Sequence, residues 1–321
     1  MLQTTTAKIR FIESIFGKGN LAGDGINFDV RCPFCAPNDH KKKKLAIRLV
    51  DDANHCWTCG WKSRTLAPLL KKLGLNLQLN DYLKDFLNSD IFISEEVKNE
   101  IRLPKDFRLI VFGNDHDPDC IAIKRYLNKR GLTDVDLWYH KIGYSNEPRW
   151  YRRVIIPSYD DRGNLNYFVT RAIDANKKPK YDNPNIDKNL IIFGEQNINW
   201  LKPITLCEGV FDGMKCGSNS IPLLGSDLNE DAYLFNKILA HSPKIVIALD
   251  GDMWSKKTPK LVKSLEKFCI DVVVADTRGI IDPGSETKSV MAEIINNAQC
   301  MTWDNIFHEK LNNASRTKLS I

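Results

Sequence analysis

The chain has 321 residues, 43% hydrophobic and 27% charged, and a formal charge of +6. That is enough for two domains or three small ones with cores of their own. No apolar run approaches the ~18 residues of a membrane span, and the first residues, Met1-Leu2-Gln3-Thr4, lack the charged-then-apolar character of a signal peptide, so the expected address is cytoplasmic and no membrane partner is expected. The nine cysteines are an odd number, and in a reducing compartment paired Cys-x-x-Cys spacings favour metal over disulfides.

The first predicted domain covers residues 1–87. Cys32-Pro33-Phe34-Cys35, twenty intervening residues and then Cys56-Trp57-Thr58-Cys59 give two knuckles with two sulfurs each. A hairpin in the intervening stretch would bring them around one tetrahedral zinc ion, a small zinc ribbon. Four thiolates leave no open position, so the zinc is structural; such sites contribute about 10–16 kcal/mol in small peptides. Around the knuckles lie Arg31, the lysine run 41–44, Arg48, His55, Trp57, Trp61, Lys62 and Arg64. Cations that follow phosphates, interleaved with rings that stack on bases, suit a single nucleic-acid strand. The competing expectations are that Trp57 packs on the ribbon itself and that the cations are a solvated face. Leu66, Leu69, Leu70 and Leu73 then recur at helical spacing, with Gly74 as a stop. Residues 88–105 are polar and charged and end at Pro104, which reads as a connector, with room for a short helix.

Residues 106–200 predict a helix over 119–129, stopped near Gly131, followed by strands. Residues 154–157 and 166–169 flank Asp160-Asp161-Arg162-Gly163, a turn that joins them into a hairpin. Arg149, Arg152, Arg153, Arg162 and Arg171 make this stretch basic, the footprint of a nucleic-acid binder. From 201 on, strands (204–206, 244–249, 272–275) alternate with helices (from 211, and 258–268), which argues for a mostly parallel α/β sheet with covering helices. The fold class expected for the chain is thus α/β, with an α+β half before it and the small N-terminal zinc ribbon. Residues from 288 on place Val290, Ile294 and Ile295, then Trp303, Ile306, Phe307 and Leu311, at helical spacing, a tail expected to pack on its own core or to dock on a partner.

Carboxylates follow the strands of the last stretch: Glu208 with Gly209 after the first, Asp250-Gly251-Asp252 after the second, and Asp282 beyond the third. Carboxyl ends of parallel strands face the crevice where open α/β sheets bind ligands. Carboxylates aimed at one point repel unless a cation intervenes, and hard oxygen donors select Mg²⁺ or Mn²⁺. Asp212 is expected in the first turn of a helix, where its charge suits the helix N-terminus.

Glu-Gly after one strand and Asp-x-Asp after another resembles the toprim domain, which topoisomerases, recombination mediators, nucleases and primases share. Asn128-Lys129-Arg130-Gly131-Leu132, Ile142-Gly143-Tyr144, Arg153-Val154-Ile155-Ile156-Pro157, Phe168-Val169-Thr170-Arg171, Lys180-Tyr181-Asp182-Asn183-Pro184 and Ile192-Phe193-Gly194 look like the catalytic core of bacterial and phage DnaG-type DNA primases. Both cysteine knuckles resemble the zinc-binding domain of that family. The resemblance implies an enzyme, a DNA-directed RNA polymerase that makes RNA primers on single-stranded DNA from NTPs. It implies that Glu208, Asp250 and Asp252 hold catalytic Mg²⁺ or Mn²⁺, with Asp282 as a further ligand. It also implies that Arg153, Arg162, Arg171 and Lys180 line the groove for template, primer or triphosphate, with Trp57, Trp61 and Lys62 on the ribbon. Two departures stand out: Asp282 is followed by Pro283-Gly284 rather than a second acid two residues on, with Glu286 as a substitute, and the zinc ligands are four Cys where relatives often use a His. No Gly-x-x-x-x-Gly-Lys-Ser/Thr occurs, so a replicative helicase on a separate chain is the implied partner. The rival readings are a zinc-plus-toprim recombination mediator without catalysis, and a toprim nuclease.

Overall fold

A computed structural model of the chain describes residues 2–35, 42–63, 65–86, 101–225, 227–254, 256–268, 270–280 and 282–301. Contacts between Cα atoms divide it into two compact units: Met1–Phe92 with Asn229–Ala240, and Ile93–Leu228 with His241–Ile321.

The first unit is built on a five-stranded antiparallel meander in sequence order, β1 (Asn20–Leu21), β2 (Asn27–Val30), β3 (Leu45–Arg48), β4 (Asn54–Cys56) and β5 (Lys62–Ser63). Alternation sets its buried face: Phe28, Val30, Leu45 and Ile47 point inward, while their neighbours are half-buried or exposed. Onto that face pack α1 (Leu2–Phe16), through Ile12 and Phe16, α2 (Ala67–Lys72), through Leu69 and Leu70, and α3 (Asn76–Asp85), through Leu79 and Tyr82. The predicted leucine helix is α2, and it stops at Gly74, left-handed at φ 72°, whose N–H bonds the Lys71 carbonyl. A buried polar network ties these pieces together. Lys8 of α1 lies 2.8 Å from Asp52 and bonds the Leu49 carbonyl, while the Tyr82 hydroxyl donates to Asp52 and accepts from the Leu66 N–H. The same unit includes most of α7 (Tyr233–His241), whose Asn236 accepts a hydrogen bond from the Thr65 hydroxyl at 2.8 Å.

The second unit holds two four-stranded sheets. One is antiparallel, in the order β6 (Arg108–Leu109), β7 (Gly143–Tyr144), β8 (Arg153–Tyr159), β9 (Leu165–Ala172). The predicted hairpin is β8–β9, paired from Arg153↔Ala172 to Tyr159↔Leu165 with a register shift near Ser158. Before it run α4 (Pro118–Lys129), capped by the Asp117 side chain and ended at Gly131, and α5 (Asp134–Tyr139), opened by a Thr133–Asp136 capping box. The other sheet is parallel, in the order β11 (Ser220–Pro222), β10 (Ile204–Cys207), β12 (Ile245–Ala248), β13 (Val272–Val274). Its inner strands β10 and β12 are buried at every position, the reading of a parallel strand covered on both faces. Helix α6 (Val210–Lys215) follows β10, α8 (Thr258–Glu266) follows β12, and α9 (Lys288–Asn296) closes the described chain. Val210, Phe211 and Met214 of α6 share one core with Ile110, Ile123, Ile142, Val154 and Val169, so α6 joins the two sheets.

Of the connector, residues 88–100 lie outside the described residues; Ile101 and Leu103 pack with Trp150, Ile155 and Phe168. The predicted tail helix is α9 as far as Asn296, while Trp303, Ile306, Phe307 and Leu311 lie outside the described residues.

Candidate active site

In the parallel sheet Cys207 pairs with Ala248, so β10 and β12 end side by side. Glu208 follows one at once and Asp250 follows the other after Leu249, which puts both carboxylates at the same carboxyl edge. There they line a cleft of about 420 Å³. Two more carboxylates reach it. Asp212 caps α6 by accepting the Gly209 N–H at 2.6 Å, and Asp282 accepts the Gly284 N–H at 2.9 Å and the Ser285 hydroxyl at 2.7 Å. The cleft is also lined by Arg130, Arg171, Lys180 and Lys188, with Tyr181 and Asn183 among them.

The charges in this cleft are unbalanced locally. Glu208 Oε2 and Asp250 Oδ1 are buried and accept no hydrogen bond from any described residue. Burial first, then the like charges of Asp212, Glu208, Asp282 and Asp252, push the Asp250 carboxyl up to about 7. Asp212 is raised too, again by burial and then by Asp282 and Glu208. The cations crowd one another in turn: Lys180 is lowered mainly by Arg171, then by burial and Arg130. Orphaned carboxylate oxygens and hard donors fit Mg²⁺ or Mn²⁺.

Three of these cations are held by their neighbours. Arg130 donates from Nε to the Tyr126 hydroxyl at 2.9 Å and stacks 4.5 Å over the Phe211 ring, while its carbonyl accepts the buried Lys215 ammonium at 2.5 Å. Arg171 lies 4.8 Å over the Tyr181 ring and bonds its hydroxyl at 2.7 Å. Lys188 bonds the Leu224 carbonyl at 2.7 Å.

Several residues depart from the sequence expectation. Arg153 is 2% exposed and does not line the cleft; it donates to the carbonyls of Pro179 and Lys180. Arg162 sits in the exposed β8–β9 turn, also outside the lining. Asp252 is exposed and outside the lining, its charge adding to the rise of the Asp250 carboxyl, and Glu286 is no part of the wall. Sequence reasoning missed Arg130, Tyr181, Asn183 and Lys188, and assigned Asp212 to helix capping alone. Arg130 stands in the stretch 128–132 that carries the family resemblance, and Asp212 one helical turn beyond Glu208, so signals existed for both. Nothing local marks Lys188.

In the first unit the four knuckle thiols converge. Cys32 and Cys59 sulfurs are 3.7 Å apart, Cys35 and Cys56 sulfurs 3.6 Å, and all four lie within 4.8 Å of one another. A tetrahedral zinc with bonds near 2.3 Å sets its sulfurs about 3.8 Å apart, so the tetrad has the spacing and donor set of a zinc site. Burial raises the Cys56 thiol, but the N–H groups of Cys59 and Thr58 in the knuckle outweigh it and bring it down to about 7, toward the thiolate a metal needs. Trp57 is 74% exposed, edge-on to His55, and Lys62 is exposed. Trp61 instead packs inward: it bonds Asn54, tilts against Phe34 at 4.8 Å and lies under Lys72. Lys41 and Arg64 lie outside the described residues.

No family model matches the chain. The chain is 22% identical to a DNA primase of Listeria innocua over a 350-residue alignment that covers 88% of this chain and 55% of that protein. It is 22% identical to a DNA primase of Listeria monocytogenes over 294 residues, 72% of this chain and 46% of that one. The chain thus spans about half the length of the curated relatives it matches. Its fold matches the crystal structure of the Aquifex aeolicus primase zinc-binding and RNA polymerase domains with a TM-score of 0.50 and 19% identity, over 98% of this chain and 89% of that one. No helix among the described residues is long and apolar enough to cross a membrane. The chain is thus similar in sequence to two bacterial DNA primases, and its fold is that of the zinc-binding and RNA polymerase domains of the Aquifex aeolicus primase.

Proposed function

We propose that the chain is a DNA primase, a DNA-directed RNA polymerase that lays short RNA primers on single-stranded DNA in the cytoplasm of a replicating cell. The observation that carries this reading is one cleft with carboxylates (Glu208, Asp212, Asp250, Asp282) and cations (Arg130, Arg171, Lys180, Lys188) on its walls. A nucleoside triphosphate with its divalent cations offers the complement of both sets, phosphate oxygens for the basic side chains and positive charge for the acids.

In the reaction, the 3′-hydroxyl oxygen of one ribonucleotide forms a bond to the α-phosphorus of the next, and the bond to pyrophosphate breaks with the electron pair leaving on pyrophosphate. The hydroxyl proton passes to solvent. Glu208 and Asp250, with Asp282 and Asp212 beside them, would hold Mg²⁺ or Mn²⁺. Divalent cations bound there supply a lowered hydroxyl pKa and charge neutralisation at phosphorus and leaving group. Arg171 and Lys180 bind and orient the triphosphate, and Arg130, fixed by Tyr126 and Phe211, adds positive charge that needs no rearrangement as the reaction proceeds. Structural zinc in the cysteine tetrad keeps the ribbon folded, and its exposed Trp57 and Lys62 contact single-stranded template by stacking and charge. A replicative helicase is the partner that this reading implies, because a primer is made where duplex has been opened.

Incubating the protein with single-stranded DNA, labelled NTPs and Mg²⁺ tests the proposal. RNA oligomers are expected. Shortened DNA would show a nuclease instead, and a shifted complex without products a binding mediator. Asp250→Ala is expected to lose RNA synthesis by about 100-fold or more, with its melting transition and zinc content retained. Full synthesis by that variant would remove Asp250 from the chemistry.

A further inference from the structure

Arg153 opens β8 and is 2% exposed, an arginine wholly inside the second unit. A buried guanidinium is costly unless a carboxylate or several acceptors compensate it. Here Nη2 donates to the Pro179 carbonyl at 2.7 Å and Nη1 more weakly to the Lys180 carbonyl at 3.4 Å, while Nε has no partner. Burial lowers its pKa, and the carboxylate that opposes this, Asp182, is already forked by Arg149 at 2.9 and 3.0 Å. An apolar side chain of similar length would occupy this place without that cost.

Its partners explain the cost. Residues 179–182 run beside β9 and meet it at one isolated bridge. Arg171 bridges Tyr181 antiparallel, and the Lys180 carbonyl accepts the Ala172 N–H at 3.0 Å. Ala172 is the residue paired with Arg153, and the guanidinium reaches the Lys180 carbonyl that Ala172 bonds and the Pro179 carbonyl before it. One residue on, Thr170 holds the segment from β9. Its hydroxyl donates to the Asp182 carbonyl at 2.6 Å and accepts the Asp182 N–H at 3.2 Å, and its own N–H bonds the Asn183 side chain. The side chains that this segment presents to the cleft are Lys180, Tyr181 and Asn183.

We infer that Arg153 is a positioning residue: from inside the core its guanidinium fixes the backbone at 179–180, and through it the placement of Lys180 and Tyr181 in the cleft. It touches neither nucleic acid nor triphosphate. Thr170 does the same for Asp182 and Asn183. The inference deepens the primase reading, and only its activity arm rests on that reading.

Two measurements on the full chain test it. In Arg153→Met, hydrogen exchange at the amides of Lys180, Tyr181 and Asp182 is expected to quicken about tenfold or more, while β10 and β12 keep their protection. Unchanged exchange at 180–182 overturns the inference whatever the enzyme does. In the activity arm, a misplacement on the order of 1 Å can cost about 100-fold, so Arg153→Met should raise the KM for NTP and lower kcat. The same substitution made in Lys180→Ala, and in the combined Lys180→Ala with Tyr181→Phe, should cost progressively less as its beneficiaries disappear. Fully additive losses would show that Arg153 acts elsewhere and sink the inference. Should Arg153→Met fail to fold, Arg153→Lys, which keeps the charge but reaches only one carbonyl, and Thr170→Val, isosteric without the hydroxyl, carry the same two readouts. If Lys180→Ala itself primes normally, the triphosphate role of Lys180 falls, and the exchange arm still decides the role of Arg153.

Discussion

His140 follows α5 and packs edge-on to Tyr139 at 4.9 Å between ring centroids. Burial brings its imidazole down to about 4, with the positive charges of Lys288 and Lys141 adding to the effect and Asp136 opposing it. In the unfolded chain a histidine binds its proton near pH 6.5. Between pH 6.5 and 4 the unfolded chain therefore holds more protons than the folded one at this position. The stability that the neutral folded ring contributes is complete above 6.5 and is lost as pH falls toward 4. His140→Asn should flatten that part of the melting-temperature profile against pH while leaving the plateau above pH 7 little changed in shape. An unaltered acid slope would mean that the ring is solvated. Burial alone would raise the neighbouring Asp136 carboxyl, but its pairing with Lys288 and its bonds from Thr133 hold it below the usual range.

The turn after β12 shows how one element fixes another. Gly251 separates Asp250 from Asp252, and a Cβ there would stand 2.7 Å from the Thr277 carbonyl and 2.8 Å from the Ile280 carbonyl. Both are backbone atoms, and Thr277 is pinned in turn because its buried hydroxyl donates to the Leu249 carbonyl at 2.6 Å. The return from β13 toward Asp282 therefore lies directly against the loop that carries Asp250. Gly251→Ala should destabilise the protein by about 1–3 kcal/mol, as other overpacked sites do. Its RNA synthesis should fall further than the lost stability accounts for, because the displaced backbone bears Asp250. Chemical denaturation and primer assays on the same preparation check this; wild-type priming at reduced stability would show that the carboxylate tolerates the shift.

Across the chain the two units have different sources of stability. The first has short strands and a small core around Ile12, Val30, Leu45, Ile47, Leu69 and Leu70, with four thiols at one end. Structural zinc in small domains is worth about 10–16 kcal/mol, of the order of such a domain's whole stability. Chelation, or Cys56→Ser, should therefore unfold the ribbon and abolish priming on natural templates. The second unit, with its two sheets and the core shared through α6, should keep its melting transition. Calorimetry with and without chelator should resolve the two, and loss of both transitions together would show that the units are not independent in stability.

The sequence by itself determined what is local. The cysteine knuckles are legible because a Cys-x-x-Cys turn sets two sulfurs within a few residues. The hairpin 153–172, the α2 stop at Gly74 and the parallel strands are legible because side-chain periodicity and turn residues act over short spans. Glu208 and Asp250 are legible as a pair because strand ends in a parallel sheet share an edge. Only the tertiary structure decided the basic side of the cleft. Arg153 and Arg171 are indistinguishable as sequence, yet the first is buried under the 179–180 carbonyls and the second reaches the cleft beside Tyr181. Arg130 and Lys188 come there from a helix end and a loop far apart in the chain. Trp61 and Trp57 differ in the same way, one packed on Phe34 and the other open. The physical reason is that burial and long-range pairing depend on which surfaces meet once the sheets form, and spacing along the chain carries no record of that.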